Sequence, residues 1–246
     1  MIGIISAMRE EIQALLDNLQ NVTTSIKGMR TYYKGTLFNK EVVIVFSRWG
    51  KVASAITATQ LINDFNINEL IFTGVAGSIK PDLNIGDIVV GKKLFQHDVD
   101  ASPFFEKFAI PILGNVFFKT NAKNRERLVK STKEFLNDYN KVISKKEAKK
   151  FNINNPKIII GDIASGDQFI NSIKKVSELN KLLPSVDCIE MEGAAVAQVC
   201  FEYKIPFSII RIISDKANDN AHIEFQKFAN EIATKYALGI FKTYFN

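Results

Sequence analysis

Short runs rich in Ile and Val alternate with amphipathic stretches along nearly the whole chain, and this alternation most constrains the fold. Strands that alternate with helices build an α/β domain around a largely parallel sheet, because parallel pairing needs long crossovers and those crossovers cover the sheet. IGIIS (2–6) predicts a first strand, residues 8–19 a helix, and TYYKGTLFNKEVVIVFS a hairpin turning at Asn39-Lys40. Residues 51–65, apolar at 52, 55, 56, 58, 61, 62 and 65, have the spacing of a helix with one buried face. ELIFTGV predicts a buried strand, and a polar helix is expected near 121–138. Strands resume at KIIIGDIAS, SVDCIEM and FSIIRIISD, before a final helix that stripes Phe225, Phe228, Ile232, Tyr236, Ile240 and Phe241 along one side.

With 246 residues, 46% of them hydrophobic, the chain has apolar material for one large core, so residues 1–246 are expected to form a single domain. No apolar run approaches the ~18–20 residues of a membrane span, and MIGIISAMREE turns acidic too early for a signal peptide. A soluble cytoplasmic protein with no membrane partner is expected. Cys188 and Cys200 fall in apolar segments, which fits buried reduced thiols; two histidines and no Cys/His cluster argue against a structural metal. The formal charge of +6 is densest in KKEAKK (145–150), followed by the Asn-rich FNINNP. Without aromatics interleaved on a basic helix, 140–156 reads as a solvated surface insertion, and no nucleic-acid partner is expected.

In an open α/β sheet, ligands bind beyond the carboxyl ends of the strands. Those positions hold Glu10 and Glu11 in SAMREE, the glycine-flanked TGVAGS, the loop IASGDQFIN, Glu190 and Glu192 in IEMEG, and Asp215 in RIISDKAND. Each has a structural explanation: a first-turn helix acid for Glu11, a tight strand-to-helix turn for TGVAG, a loop for SGD, an N-cap for Asp215. Capping also accounts for Glu192. It does not account for Glu190, which lies in the apolar strand approach where an unpaired carboxylate is costly, so the pair suggests a site for hydroxyls or water. TGVAGS is not GxGxxG and no Walker loop is present, so no nucleotide cofactor is expected.

In this order, SAMREE, GKVASA, TGVAGS, GDIVV, HDVDASPF, SGDQFIN, IEMEGAAVAQVC and RIISDKAND cover almost the whole chain. Together they resemble the bacterial 5′-methylthioadenosine/S-adenosylhomocysteine nucleosidases. The resemblance implies an α/β fold of the nucleoside phosphorylase type, a three-layer αβα sandwich around a central mixed sheet, and a homodimer acting on a small nucleoside with no cofactor. It also implies roles: Glu11 as the base that activates water, Asp215 as the acid that protonates the purine, and Met191 and Glu192 around the ribose. Phe169 and Ile170 match adenine contacts, Ala76 and Gly77 line the ribose and water side, and Arg211 and Ser214 match supporting positions. Glu190, Met8 and Phe225 join the substrate-binding set, and Phe104 matches an aromatic supplied by the partner subunit. SRWGK departs from the family pattern by bringing Arg48 and Trp49 to the mouth of the 5′ pocket, and Val75 stands where many members have Ser.

The implied chemistry is coherent. Breaking an N-glycosidic bond builds positive charge on the sugar and negative charge on the purine, so one carboxyl must donate a proton and another must accept one from water. An Asp of ordinary pKa, near 3.9, is a poor donor at neutral pH, so Asp215 is expected to be raised by burial and neighbouring acids. A phosphorolytic enzyme of the same superfamily is the alternative reaction, kept open by Arg9 and Arg48. A non-catalytic nucleoside- or surface-binding protein is the alternative class, for which separate base and acid positions would be superfluous.

Overall fold

A computed structural model describes residues 1–218 and 221–246. Its strands are β1 (Ile2–Ser6), β2 (Gln20–Lys27), β3 (Arg30–Leu37), β4 (Lys40–Phe46), β5 (Glu69–Ser78), β6 (Ile88–Gln96), β7 (Phe117–Lys119), β8 (Ile158–Ser165), β9 (Val186–Glu190) and β10 (Phe207–Asp215). The helices are α1 (Gln13–Asp17), α2 (Lys51–Phe65), α3 (Ala122–Asn137), α4 (Lys145–Lys150), α5 (Ile173–Leu182), α6 (Gly193–Glu202), α7 (Ala221–Phe228) and α8 (Thr234–Phe245).

All ten strands belong to one mixed sheet, ordered β10-β6-β8-β9-β5-β1-β4-β3-β2, with β7 on β6. Because β10 also pairs with β5, the strands β5, β10, β6, β8 and β9 close on themselves, and β1, β4, β3 and β2 extend from this ring. Successive residues of the inner strands face opposite ways, as the pleat requires. Ile4, Ile44, Ile71 and Ile210 pack towards α1, α3 and α8, whereas Ile5, Val43, Phe72 and Ile209 pack towards α2 and α6. Helices therefore cover both faces, the three-layer αβα arrangement that the family resemblance implies.

Several expectations change in detail. The helix expected over 8–19 shrinks to α1, because the preceding residues turn around the Glu11 carboxylate: the Met8 amide donates to it. The hairpin turns one residue earlier than expected, at Phe38-Asn39, both at positive φ, with Leu37 paired to Lys40. An unanticipated edge strand, β2, pairs with β3. The α2 helix has the expected bounds but a different buried face: Ser54, Thr57, Ala58 and Leu61 are inside, while Val52 and Ile56 are exposed. TGVAG is not a turn; it lies within β5. The 140–156 segment is not simply a solvated insertion, since Ile143, Phe151 and Ile153 are buried in the core beside the short, capped α4. The final helical stripe is broken by a π-helical turn, Ala229–Ala233, and Phe225, partly packed against the same core, also lines the site described below.

Candidate active site

The carboxyl ends of β1, β5, β9 and β10 converge on a cavity of about 570 Å³ that is partly open to solvent. Glu11 enters from the turn after β1 and is 3% exposed. Its Oε1 accepts the Val75 amide at 3.0 Å, and its Oε2 accepts the Met8 amide at 3.1 Å and the Ser6 hydroxyl. Burial pushes its pKa up, opposed by Ser6 and by the positive charge of Arg211.

Asp215 ends β10. The pairing of β10 with β5 runs Ile213 to Ala76 and then Asp215 to Gly77, so Ser214 is an extra residue, a bulge that re-aims the side chain after it. Asp215 Oδ1 accepts the Ala217 amide at 2.8 Å, and Oδ2 accepts the Ser214 hydroxyl at 2.8 Å. Desolvation raises its pKa to about 6 against these hydrogen bonds, with a smaller contribution from the charge of Glu224.

The two carboxylates of IEMEG divide their work differently from the capping expectation. Glu190 holds the start of α6: it accepts the Glu192 amide at 3.2 Å and the Gly193 amide at 2.8 Å, together with the Ser165 hydroxyl. It also pairs with Arg211 Nη2 at 2.6 Å. Glu192 sits at the N-cap position but makes no capping bond; its Oε1 instead accepts the Gly50 amide at 2.8 Å. Burial, and then the charge of Glu190, raise the Glu192 pKa to about 8.

Phe169, Ile170, Met8, Met191, Ala76, Gly77, Ser214, Glu190 and Glu192 line the cavity with Glu11 and Asp215. Trp49 and Phe225 also line it. These two rings meet edge to face at 5.7 Å, and Phe225 meets Phe169 at 5.6 Å, so three aromatics form one continuous wall. Two expected residues stand apart. Arg211 is 1% exposed and lies behind the lining, spent on Glu190, on the Phe72 and Ile210 carbonyls and on the face of the Phe72 ring at 4.1 Å. Phe104 is 86% exposed and is not among the residues lining this cavity.

Sequence reasoning missed Gln168, Ala7 and Ile189 in the lining, which Val75 joins, and the groups that hold the acids: Ser6, Ser165 and the Gly50 amide. Both serines end apolar strands, so a strand-end reading that included hydroxyls as well as carboxyls would have found them.

The family model described as "Phosphorylase superfamily" matches residues 1–246. The 5′-methylthioadenosine/S-adenosylhomocysteine nucleosidase of Staphylococcus haemolyticus is 37% identical over 234 residues, covering 95% of this chain and 94% of that protein. The aminodeoxyfutalosine nucleosidase of Campylobacter jejuni is also 37% identical, over 92% of this chain and 90% of its own length. Among solved structures, the 5′-methylthioadenosine/S-adenosylhomocysteine nucleosidase of Neisseria meningitidis in complex with methylthio-immucillin-A superposes with a TM-score of 0.83 at 31% identity, covering 98% of each chain. The futalosine hydrolase of Helicobacter pylori gives the same TM-score at 34% identity, over 98% of this chain and 96% of that one. The chain belongs to the phosphorylase superfamily and, within it, to the family of 5′-methylthioadenosine/S-adenosylhomocysteine nucleosidases.

Proposed function

We propose that this protein hydrolyses the N-glycosidic bond of 5′-substituted adenosines and releases adenine. Its substrates are 5′-methylthioadenosine and S-adenosylhomocysteine, extending to 5′-deoxyadenosine and aminofutalosine-type nucleosides. The observation that carries the reading is the pair of buried carboxyls, Glu11 and Asp215, both with raised pKa, on one cavity with the buried carboxyl of Glu192.

The reaction follows from their chemistry. Asp215 gives its proton to N7 of the purine as the bond from N9 to C1′ of the sugar breaks, so adenine leaves neutral. Glu11 takes a proton from water, whose oxygen bonds to C1′. Burial suits both roles, since an acid with a pKa of about 6 retains protonated molecules near neutrality, and a base raised above the ordinary Glu value binds a proton more avidly. The Glu192 carboxyl offers two oxygens to the neighbouring hydroxyls of the ribose. Phe169 supplies a flat face for the purine, and Ala76, Gly77, Met8, Met191 and Ile170 complete the walls. Phosphorolysis is disfavoured: among the described residues, no lysine or arginine lines the cavity, so a phosphate would meet carboxylates.

The whole chain acts as one catalytic domain, in the cytoplasm, as a homodimer. Support for the dimer comes from Phe104 at 86% exposure and from Val52 and Ile56, apolar groups on the open face of α2 beside the cavity mouth. Adenine release from each candidate nucleoside, followed by chromatography with purified protein, tests the function; no adenine from any of them would overturn it.

A further inference from the structure

Three sequence segments contribute residues that the chemistry above leaves unused: Lys51 of GKVASA, Asp98 of HDVDASPF and Asp167 of SGDQFIN. They meet in a ring of hydrogen bonds. Lys51 Nζ donates to Asp98 Oδ1 at 2.5 Å, the Asp167 amide donates to Asp98 Oδ2 at 2.8 Å, and the Lys51 amide donates to Asp167 Oδ1 at 2.8 Å. Gln96 Oε1 adds a second acceptor for Lys51 Nζ at 3.2 Å.

The ring joins the two halves of the cavity. Gly50, directly before Lys51, donates its amide to Glu192 Oε1 from a backbone at φ 95°, a conformation that glycine adopts without penalty. A β-carbon there would also stand 3.1 Å from Asp167 Oδ1. Asp167 directly precedes the purine-facing segment Gln168 to Ile170. The side chains of Lys51 and Asp98 keep only 17% and 19% of their exposure, so water screens the pair less than a surface ion pair. Burial opposes the charge on Asp98, but Lys51 and the Asp167 amide outweigh it and hold that carboxyl below its ordinary value.

The geometry points to Lys51 and Asp98 as positioning residues that fix the Glu192 side of the cavity relative to the Phe169 side, so that ribose and purine are gripped together; this rests on the nucleosidase reading. Reaction of a bound nucleoside depends on both ends being held within a fraction of an ångström, and neither residue touches the reacting atoms.

Asp98→Asn, Lys51→Met and the double variant test the clamp, with wild-type turnover of 5′-methylthioadenosine as the reference. Each single change is expected to lower kcat/KM for 5′-methylthioadenosine at least about fivefold, while free adenine, measured by calorimetry, keeps its Kd within about threefold. The double variant is expected to lose no more than about twofold beyond the weaker single, since a broken ring cannot be broken twice. Singles that retain more than a fifth of kcat/KM, adenine affinity that falls as far as turnover, or losses that multiply would each overturn the clamp. If Asp98→Asn does not fold, Lys51→Met decides by the first two readouts. A wild type without turnover would overturn the nucleosidase reading and the clamp with it, whereas active wild type with unaffected variants overturns the clamp alone.

Discussion

Asp215 lies against the backbone of Gly77: a β-carbon on that glycine would stand 2.7 Å from Asp215 Oδ1. Gly74 has the same relation to Glu11, whose Oε1 would be 2.9 Å from a β-carbon there. The two glycines of TGVAG are thus the floors on which the Asp215 and Glu11 carboxyls rest. Two residues, Val75 and Ala76, lie between them, so the glycines stand roughly 10 Å apart along β5.

Gly77→Ala is therefore expected to displace Asp215 and lower kcat by roughly a hundredfold, the cost of misplacing a catalytic group by about 1 Å. Steady-state kinetics on a variant whose circular dichroism matches wild type checks this; near-normal kcat would show that Asp215 need not sit where it does.

Asp215→Asn keeps the shape of the side chain but removes its proton, and kcat should fall by roughly a hundred- to ten-thousand-fold. The same substitution should stabilise the fold at neutral pH. With a folded pKa of about 6 against an ordinary 3.8, the native state binds more protons than the unfolded one between those values. The contribution of Asp215 to stability is thus complete below about pH 4 and is lost as pH rises through about 6. At pH 7.5 the variant should be more stable by roughly 3 kcal/mol, from about 1.4 kcal/mol per pH unit, and at pH 4 the two proteins should melt together. Calorimetry at both pH values checks the sign; equal Tm at pH 7.5 would mean that Asp215 carries no burial penalty.

On the proposed function, Glu192→Gln is expected to weaken the acceptor for the ribose hydroxyls and leave the Phe169 side of the cavity intact. At about pH 9, above the folded pKa of about 8 where the Glu192 carboxyl is charged, affinity for a riboside inhibitor should drop by roughly ten- to a hundredfold, the worth of hydrogen bonds to a charged group, while affinity for free adenine changes little. Equal losses for both ligands in titration calorimetry would remove Glu192 from the sugar side.

Trp49 is half exposed, and its indole forms the outer end of the aromatic wall. It should favour compact apolar 5′ groups by contact area and crowd the long tail of S-adenosylhomocysteine, with exposed Arg48 partly offsetting this by pairing with the tail carboxylate. In Trp49→Ile, the ratio of kcat/KM for 5′-methylthioadenosine to that for S-adenosylhomocysteine should fall by about threefold or more. An unchanged ratio with lowered Tm would make Trp49 a packing residue.

Much of this molecule was legible because its signals are local. The bounds of α2 follow from spacing alone, and the acids of the site stand at strand ends or in the turns just after them. What the spacing could not give is which side of α2 is buried: small Ser54 and Thr57 face α6, where helices approach closely, and the larger Val52 and Ile56 are left outside. The TGVAG glycines mislead for a related reason. Glycine usually marks a turn, but here it marks places where carboxylates from distant segments press on a strand, and that approach exists only after the sheet has closed. The division of labour between Glu190 and Glu192 likewise depends on Arg211, Ser165 and Gly50, none of them adjacent in sequence.

Glu11 is expected to direct water, not phosphate, at the sugar. Adenine release from 5′-methylthioadenosine should proceed at the same rate in phosphate and in phosphate-free buffer, with free 5-methylthioribose as the only sugar product by mass spectrometry. Phosphate-dependent release accompanied by 5-methylthioribose 1-phosphate would contradict it.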